Sequence, residues 1–252
     1  MERAEDDTPG AGPAVEQAYG TIVVVGGGCY GSYYVRQLRR ASARGALKYN
    51  RLLVVDRDPA CAASAAVEDD LDLRVADWSR FFSAFLAGEA HPGDAIVPSP
   101  LMPHLLFQWL EERARHHWPH RRVTVQLPGP VGGVPWQREG QDRTRYVSFA
   151  EWICPVNCIE PRICPHTRGE RTWSMPPALL AHVKASPGMS EDLHASVILH
   201  CTHRAYGVGM IDVDDVLGGE RTLVAAADGR RARVLVGTVS HCHGALGILA
   251  VE

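Results

Sequence analysis

Three closely spaced glycines near the start of the chain have the spacing of a phosphate-binding turn. Gly26, Gly28 and Gly31 directly follow the apolar run TIVVV. The first glycine permits a tight bend, the second lets backbone N–H groups approach a pyrophosphate, and the third lets a helix pack closely against a strand. Asp56 closes the next apolar run, RLLVV, where a carboxylate accepts hydrogen bonds from ribose hydroxyls and repels a 2′-phosphate. These residues predict a dinucleotide site that favours NAD over NADP.

Three cysteines in the second half of the chain form another candidate centre. Cys154, Cys158 and Cys164 lie within eleven residues, in a segment whose prolines break any regular helix. Irregular backbone between thiolates allows several sulfurs to meet at one metal ion or cluster. The segment CPVNCIEP resembles the Cys-Pro segment of bacterial ferredoxins. The ferredoxin series C-x2-C-x2-C-x3-C-P is absent, so no ferredoxin ligand is carried over to this chain.

A closed four-coordinate site needs a fourth ligand, for which the sequence offers two sources. Cys201 lies in the cluster HCTH and Cys242 in the cluster HCH, each after a strand-like run. Thiolates alone suit an iron–sulfur cluster, whereas thiolates with imidazoles suit zinc, and the Cys-Pro pattern slightly favours the cluster. Cys201 is favoured as the fourth ligand, so the predicted metal ligands are Cys154, Cys158, Cys164 and Cys201.

Alternatives stay open for these thiols and for the residues around them. The cysteines could instead form a redox-active set, since thiols stay reduced in a reducing compartment. The histidines of the same clusters serve either as ligands or as proton carriers: His203, His241 and His243. The arginines of this region either form a solvated face or bind an anion beside the metal: Arg162, Arg168, Arg171 and Arg204.

The elements that would hold these residues alternate along the first half of the chain. Apolar, β-branched runs predict strands at 22–25, 51–55, 71–76, 94–97 and 123–127. Amphipathic patterns predict helices at 29–42, 59–68, 78–87 and 101–117. This rhythm favours an α/β fold with a doubly wound parallel Rossmann-type sheet, followed by a smaller C-terminal α/β domain rich in Cys and His.

Four segments of this half resemble a known kind of domain. TIVVVGGGCYGSYYVRQL, LLVVDRDP, VADW and DAIVPS are similar to the NAD-binding domain of cytosolic potassium-uptake regulators and of many oxidoreductases. The resemblance implies that the turn and the acid hold a dinucleotide, while Asp77 and Ser99 border its adenine and nicotinamide sides. Arg57, beside the acid, weakens the preference for NAD because its guanidinium can pair with a phosphate. The predicted cofactor-binding residues are Gly26, Gly27, Gly28, Cys29, Tyr30, Gly31, Asp56, Arg57, Asp77 and Ser99.

These patterns divide the chain into four parts. Residues 1–19 are acidic, contain proline and glycine, and lack the apolar stretch of a signal peptide. They predict a disordered lead-in and a cytoplasmic protein. Residues 20–127 form the predicted dinucleotide-binding domain, and residues 128–145 form a linker or active-site loop. Residues 146–252 form the predicted metal or cluster domain.

Composition excludes two classes of partner. Lys and Arg number 26 against 29 acids, so the chain lacks the basic excess of a nucleic-acid-binding protein. No apolar stretch approaches the roughly 18 residues that a membrane-spanning helix needs. The expected partners are the dinucleotide, a redox partner protein and a second copy of the chain in a homo-oligomer.

Three functions follow from these predictions. The first is an oxidoreductase or electron-transfer subunit that binds NAD(P) and passes electrons through the cysteine site. The second is a non-catalytic, NAD-sensing regulatory or assembly subunit with a structural metal. The third is a metal-stabilised module that binds a partner protein and keeps a vestigial nucleotide crevice. The first is favoured because a dinucleotide fold and clustered thiols fit redox work. No general acid–base pair such as Tyr-x3-Lys is found, so no catalytic residue is assigned.

Overall fold

Two β-sheets form the centre of the computed structural model, which describes residues 18–68, 70–155, 158–185 and 193–252. The described strands are β1 Ala18–Val25, β2 Lys48–Asp56, β3 Leu71–Val75, β4 Ala95–Val97, β5 Val123–Gln126, β6 Trp136–Glu139, β7 Arg145–Ser148, β8 Ala195–His200, β9 Thr202–Ala205, β10 Val208–Asp212, β11 Ala232–Val239 and β12 His243–Val251. The described α-helices are α1 Cys29–Ala43, α2 Trp78–Ala84, α3 Leu105–His117, α4 Met175–Ala185 and α5 Val213–Ala227. A 3₁₀ turn spans Ala62–Ala66, and a π-helical turn at Phe85–Glu89 extends α2.

The first sheet carries the glycine turn. Its strand order is β3-β2-β1-β4-β10-β9, and the first four of these strands run parallel. β1, β2 and β4 have apolar runs buried on both faces, as Val23 and Val24 show, because layers pack on both sides of a parallel sheet, whereas the edge strand β3 is largely accessible. β10 and β9 are antiparallel, so the sheet is mixed. The α/β class is confirmed, whereas the wholly parallel, doubly wound sheet of the prediction is not.

The position of β5 corrects the prediction of a fifth parallel strand. β5 pairs antiparallel with β12 in the second sheet. The other strands of that sheet have the order β6-β7-β12-β11-β8, and β5 branches off at β12. The place beside the short strand β4 is taken by β10, with Ile211 opposite Ile96. The alternation of strands and helices could not reveal this exchange, because an apolar strand pattern indicates burial and not the identity of the neighbouring strand.

The predicted domain limits cut across these sheets. β1 begins at Ala18, inside the predicted lead-in, of which residues 1–17 lie outside the described part of the chain. Residues 128–145 contain β6 and the first residue of β7, so they are not loop alone. β9 and β10 come from the predicted second domain but complete the first sheet. The two predicted domains therefore share a sheet.

The helices join the two sheets into one body. α1 packs on one face of the first sheet, where Val35 and Leu38 meet Ile22 and Val24. α2, α3 and α5 share a second core with both sheets, and α4 packs on the second sheet through Leu179. None of the described helices has the length and apolar character that a membrane crossing requires. The shared core fixes how the strand ends of the two sheets meet.

Candidate functional site

A cavity of about 410 Å³ lies where strand ends from both sheets meet. The first sheet contributes Ser99, which follows β4, and the β9–β10 hairpin, which includes His203. The second sheet contributes residues of β7, β11 and β12, among them Thr238 and His243. Tyr34 of α1 completes this part of the wall. Small-molecule sites in proteins commonly have volumes of about 300–1,000 Å³, so the cavity has the size of a ligand site.

Strand register decides which side chains of the second sheet face the cavity. Thr238 on β11 pairs with Ala245 on β12, and Ala245 pairs with Tyr146 on β7. His243 pairs with Ser148 two residues further along these strands. Alternate residues of a strand share a face, so the side chains of these five paired residues lie on one face of the second sheet. Further along β11 and β12, the same face packs into the core that α2, α3 and α5 share with both sheets.

His243 has one ring nitrogen held by the protein and one left free. Nδ1 lies 2.9 Å from the Ser148 hydroxyl oxygen. Ser148 donates its single hydrogen to the carbonyl oxygen of Ala150 at 2.7 Å and accepts from the Ala150 N–H at 2.9 Å. Nδ1 therefore donates to Ser148, which leaves the lone pair of the neutral ring on Nε2. Burial lowers the pKa of His243 below its usual 6.5, although the charge of Glu160 acts in the opposite direction.

His203 presents its second nitrogen in the same way from the first sheet. Nδ1 lies 2.5 Å from the carbonyl oxygen of Cys158, and because a carbonyl only accepts, Nδ1 carries the hydrogen. Gly209 makes room for this ring. A Cβ at that position would lie 2.9 Å from Cδ2 of His203 and 2.6 Å from the sulfur of Cys201. Within the described residues, nothing hydrogen-bonds to Nε2 of His203 or His243.

A buried carboxylate lies close to these rings. Glu160 is 7% exposed and accepts hydrogen bonds from the Ser240 hydroxyl at 2.7 Å and from the N–H groups of His241 and Cys242 at 3.0 and 3.1 Å. Burial raises the pKa of Glu160, but the Ser240 hydrogen bond, the His203 ring and the two N–H groups together lower it below its usual value. Glu160 is therefore charged at neutral pH, where it holds the β11–β12 turn and stabilises positive charge on the neighbouring imidazoles.

Two more histidines lie beside this carboxylate but are not among the residues that line the cavity. Nδ1 of His241 lies 2.7 Å from the hydroxyl of Ser174, and the His241 ring meets the His200 ring edge to face at 4.8 Å. Burial lowers the pKa of both rings. Of the three histidines that the sequence singled out, His203 and His243 line the cavity and His241 does not.

The glycine turn lies apart from the cavity lining and is tied to its own acid. Asp56 accepts a hydrogen bond from the N–H of Gly27 at 2.6 Å with one oxygen and from that of Asp58 at 2.9 Å with the other. A Cβ on Gly31 would overlap the carbonyl oxygen of Gly26, which is the close contact expected where helix and strand meet. The third glycine therefore has the predicted packing role, while anion binding at the turn stays a prediction.

The other predicted cofactor residues lie in separate places. Asp77 caps α2 by accepting from the N–H groups of its first turn, and Arg57 lies 3.8 Å from it. This capping gives Asp77 a structural role at the helix end. Cys29 and Tyr30 are exposed at the start of α1. Within the described residues, only Ser99 of the predicted set lines the cavity.

The predicted iron–sulfur or zinc centre at Cys154, Cys158, Cys164 and Cys201 is wrong. Within the described ranges, no group of three or more His, Cys, Asp or Glu side chains is placed to hold a metal ion. The sulfur of Cys158 accepts the N–H of Glu160 at 3.4 Å, and the main chain of Cys164 closes a turn of its own. Cys201 lines the cavity instead, and burial raises its pKa to about 12. Burial raises the pKa of Cys154, and the neighbouring thiols of Cys158 and Cys164 raise it further, so the three thiols are neighbours without forming a metal-holding group within the described residues.

Three of the four arginines of this region have side-chain partners within the described residues: Arg162, Arg171 and Arg204. Arg204 forms a two-pronged ion pair with Asp212, with both distances at 2.6 Å. Arg162 pairs with Glu170 at 3.0 Å, and Arg171 donates to main-chain carbonyls. These contacts favour the structural interpretation of the arginines over an anion site.

Comparison with known proteins identifies the family of the second half of the chain. Residues 106–252 match the AF_1314_C family, described as "Uncharacterized protein, C-terminal domain". The chain belongs to this family. The matched residues include the whole second sheet and the cavity residues His203, Thr238 and His243. No curated protein matches the sequence.

A solved structure gives a weak match along most of the chain. Its title is "The Structure of a Putative Type II Methyltransferase from Anaeromyxobacter dehalogenans". The identity is 14%, the match covers 94% of this chain and 91% of that chain, and the TM-score is 0.22. A likeness at this TM-score carries no argument about fold or function.

These findings correct the predicted family and function. The family that matches is not the NAD-binding domain of potassium-uptake regulators, so the predicted kinship is wrong. The favoured function, an NAD(P)-binding redox protein, is wrong as well. The family that matches is not described as such a protein, and the described residues hold no group able to bind a metal. The alternatives that relied on a structural metal lose the same support.

Three residues of the site had no signal in the sequence. Ser148 ends a short strand, Glu160 follows the Cys-Pro segment, and Thr238 is one β-branched residue among several in β11. They become functional candidates only through strand register and through contacts between distant parts of the chain. His203 and His243 could be found in advance because they form histidine–cysteine clusters at strand ends.

Proposed function

We propose that this protein is an enzyme that uses general acid–base catalysis on a small, uncharged substrate bound in the cavity between the sheets. One observation carries the proposal. Two histidines from different sheets line the same cavity, and each has Nδ1 held by the protein and Nε2 free. A fixed tautomer with an open nitrogen is what a proton-transfer catalyst needs.

His243 is the proton acceptor of the pair. Its lowered pKa keeps the ring neutral at pH 7, so Nε2 is available to take a proton. The imidazolium that forms is stabilised by the buried charge of Glu160, which acts on this ring. His203, on the other sheet, is the second proton carrier, and Nε2 of this ring exchanges protons with the opposite side of the substrate.

The side chains around the cavity favour proton transfer over covalent catalysis. The thiol of Cys201 stays protonated at neutral pH because burial raises its pKa to about 12. Ser148 already donates its hydrogen to a main-chain carbonyl, and Ser240 donates to Glu160. Nδ1 of His243 carries a hydrogen towards Ser148 and so cannot take one from it, and the lowered pKa of Glu160 makes this carboxylate a weak base for Ser240. Neither hydroxyl is therefore activated as a nucleophile.

The cavity walls indicate the kind of substrate. Tyr34, Trp136 and Tyr146 supply aromatic surface, and prolines 98, 100 and 103 supply flat apolar surface. Among the described lining residues there is no Lys, Arg, Asp or Glu. A phosphorylated or multiply charged ligand would lack a counter-charge in such a site. An uncharged molecule that carries a ring fits these walls.

The test uses the 252-residue chain and a panel of uncharged, ring-bearing esters, amides and ketones in D₂O. NMR detects both hydrolysis and exchange of hydrogen for deuterium in these compounds. We expect conversion of at least one compound, and a rate lowered about 10²–10⁴-fold by His203→Gln and by His243→Gln. His91→Gln, at an exposed histidine outside the cavity lining, leaves the rate unchanged. Conversion of no compound, or unchanged rates in both cavity variants, would overturn the proposal.

A further inference from the structure

Thr238 has a buried hydroxyl group that the protein leaves without a partner. The residue is 8% exposed and lines the cavity, and within the described residues its Oγ1 has no hydrogen bond. Burying an unsatisfied hydroxyl destabilises a folded protein. Val234 and Val236 occupy the same face of β11, where valine has the shape of threonine without the hydroxyl. A hydrogen bond to a bound ligand would satisfy this hydroxyl.

We propose that the Thr238 hydroxyl donates a hydrogen bond to a carbonyl oxygen of the substrate, which makes the substrate an uncharged carbonyl compound. This inference rests on the proposed function and names the substrate class of the same site. A carbonyl compound suits a cavity whose described lining carries no charged side chain. It also provides the acceptor that an unpaired O–H requires.

The register places this hydroxyl near a group bound at His243. Ala245 lies opposite Thr238, and His243 lies two residues further along β12 on the same face. Diagonal neighbours of this kind are about 7–8 Å apart. A carbonyl group and the carbon bonded to it span such a gap when the carbonyl oxygen contacts the hydroxyl and the hydrogen on that carbon points at the ring nitrogen. One small group therefore reaches both residues.

Thr238 and His243, placed in this way, can together remove and return a proton beside a carbonyl group. Nε2 of His243 takes a proton from the carbon next to the carbonyl, and the electrons of that C–H bond form the C=C bond of an enolate. Negative charge moves to the carbonyl oxygen, where the Thr238 O–H stabilises it as an oxyanion donor does. Return of a proton from the imidazolium restores the carbonyl compound. In D₂O the imidazolium exchanges its proton with solvent, so the net result is deuterium in place of hydrogen on the substrate.

The test compares acetophenone with ethylbenzene, which carries the same ring but a methylene in place of the carbonyl. NMR titration measures the affinity of both for the wild type, Thr238→Val, Thr238→Ser and Thr222→Val. Thr222 is an exposed threonine on α5 that bonds to the carbonyl of Gly218, so it controls for the substitution itself. We expect the wild type and the control to prefer acetophenone about tenfold, the valine variant at 238 to lose this preference, and the serine variant to retain it.

Deuterium exchange at the methyl group of acetophenone, measured on the same proteins and on His243→Gln, separates the two proposals. Equal preference in the wild type and Thr238→Val overturns the role of Thr238, even when exchange still depends on His243 and supports the proposed function. A preference that depends on Thr238, without exchange in the wild type, supports the hydroxyl as a carbonyl-binding group and overturns the catalysis. Equal binding of both compounds by the wild type overturns the substrate class. Melting curves of the wild type and of every variant, His243→Gln included, confirm that each is folded.

Discussion

Replacing Glu160 with glutamine tests whether its charge holds the β11–β12 turn. One carboxylate oxygen, Oε1, accepts from the Ser240 hydroxyl and from the Cys242 N–H, and the other, Oε2, accepts from the His241 N–H. Glutamine keeps one acceptor oxygen and places an NH₂ group in the position of the second. When the remaining oxygen keeps its two partners, the His241 N–H loses its acceptor and faces another donor.

The expected loss of stability follows from these three contacts. A hydrogen bond to a charged group contributes about 1.5–3 kcal/mol and a neutral one about half as much. Glu160→Gln removes one such bond and reduces two to neutral strength, so we expect the free energy of unfolding to fall by about 3–6 kcal/mol. Glu170, whose side chain is exposed and pairs with Arg162, is the matched control. Glu170→Gln changes the free energy of unfolding by less than about 0.5 kcal/mol, because an exposed ion pair contributes little.

Urea unfolding followed by circular dichroism at pH 7 measures both variants. Acid adds a second readout. The pKa of Glu160 in the folded protein lies below its usual value of 4.5, so its stabilising contribution is complete above that value and is lost as the pH falls through the folded pKa. Stability therefore falls less steeply in acid for Glu160→Gln than for the wild type. A glutamine variant with wild-type stability at pH 7 and a wild-type slope in acid would refute the role of this carboxylate.

Three further predictions concern the cavity and the glycine turn. For the substrate found in the panel, kcat/KM rises with pH and levels off with a midpoint below 6.5, since neutral His243 is the base and burial lowers its pKa; a flat profile contradicts this role. Gly209→Ala places a Cβ 2.9 Å from a carbon of the His203 ring, so we expect a loss of about 1–3 kcal/mol in urea unfolding and at least a tenfold lower rate; a wild-type rate would show that the ring position does not matter. In Gly31→Ala the new Cβ overlaps main-chain atoms, so we expect the free energy of unfolding to fall by about 3 kcal/mol in the same assay. In Gly28→Ala the new Cβ lies in open space, so the free energy of unfolding changes by less than about 0.5 kcal/mol. Equal effects of the two substitutions would count against the packing role of the third glycine.

The sequence predicted those parts of the fold that depend on local patterns. The runs that became the central parts of β1, β2 and β4 were recognisable because buried parallel strands are rich in apolar residues. The close contact at Gly31 followed from the chemistry of a turn between a strand and a helix. Two cavity histidines were found because histidine and cysteine cluster at strand ends. Each of these signals lies within a few residues of the feature it predicts.

Only the tertiary structure decided the rest, because it depends on contacts between residues far apart in the chain. β10 lies beside β4, so β5 belongs to the second sheet. The Glu160 carboxylate meets Ser240 across 80 positions, and Ser148 fixes His243 across 95. Such pairs cannot be predicted from local sequence, since strand pairing and buried hydrogen bonds depend on the packing of the whole core. For the same reason the cysteines, which are close in sequence, do not form a metal site within the described residues, whereas distant histidines share one cavity.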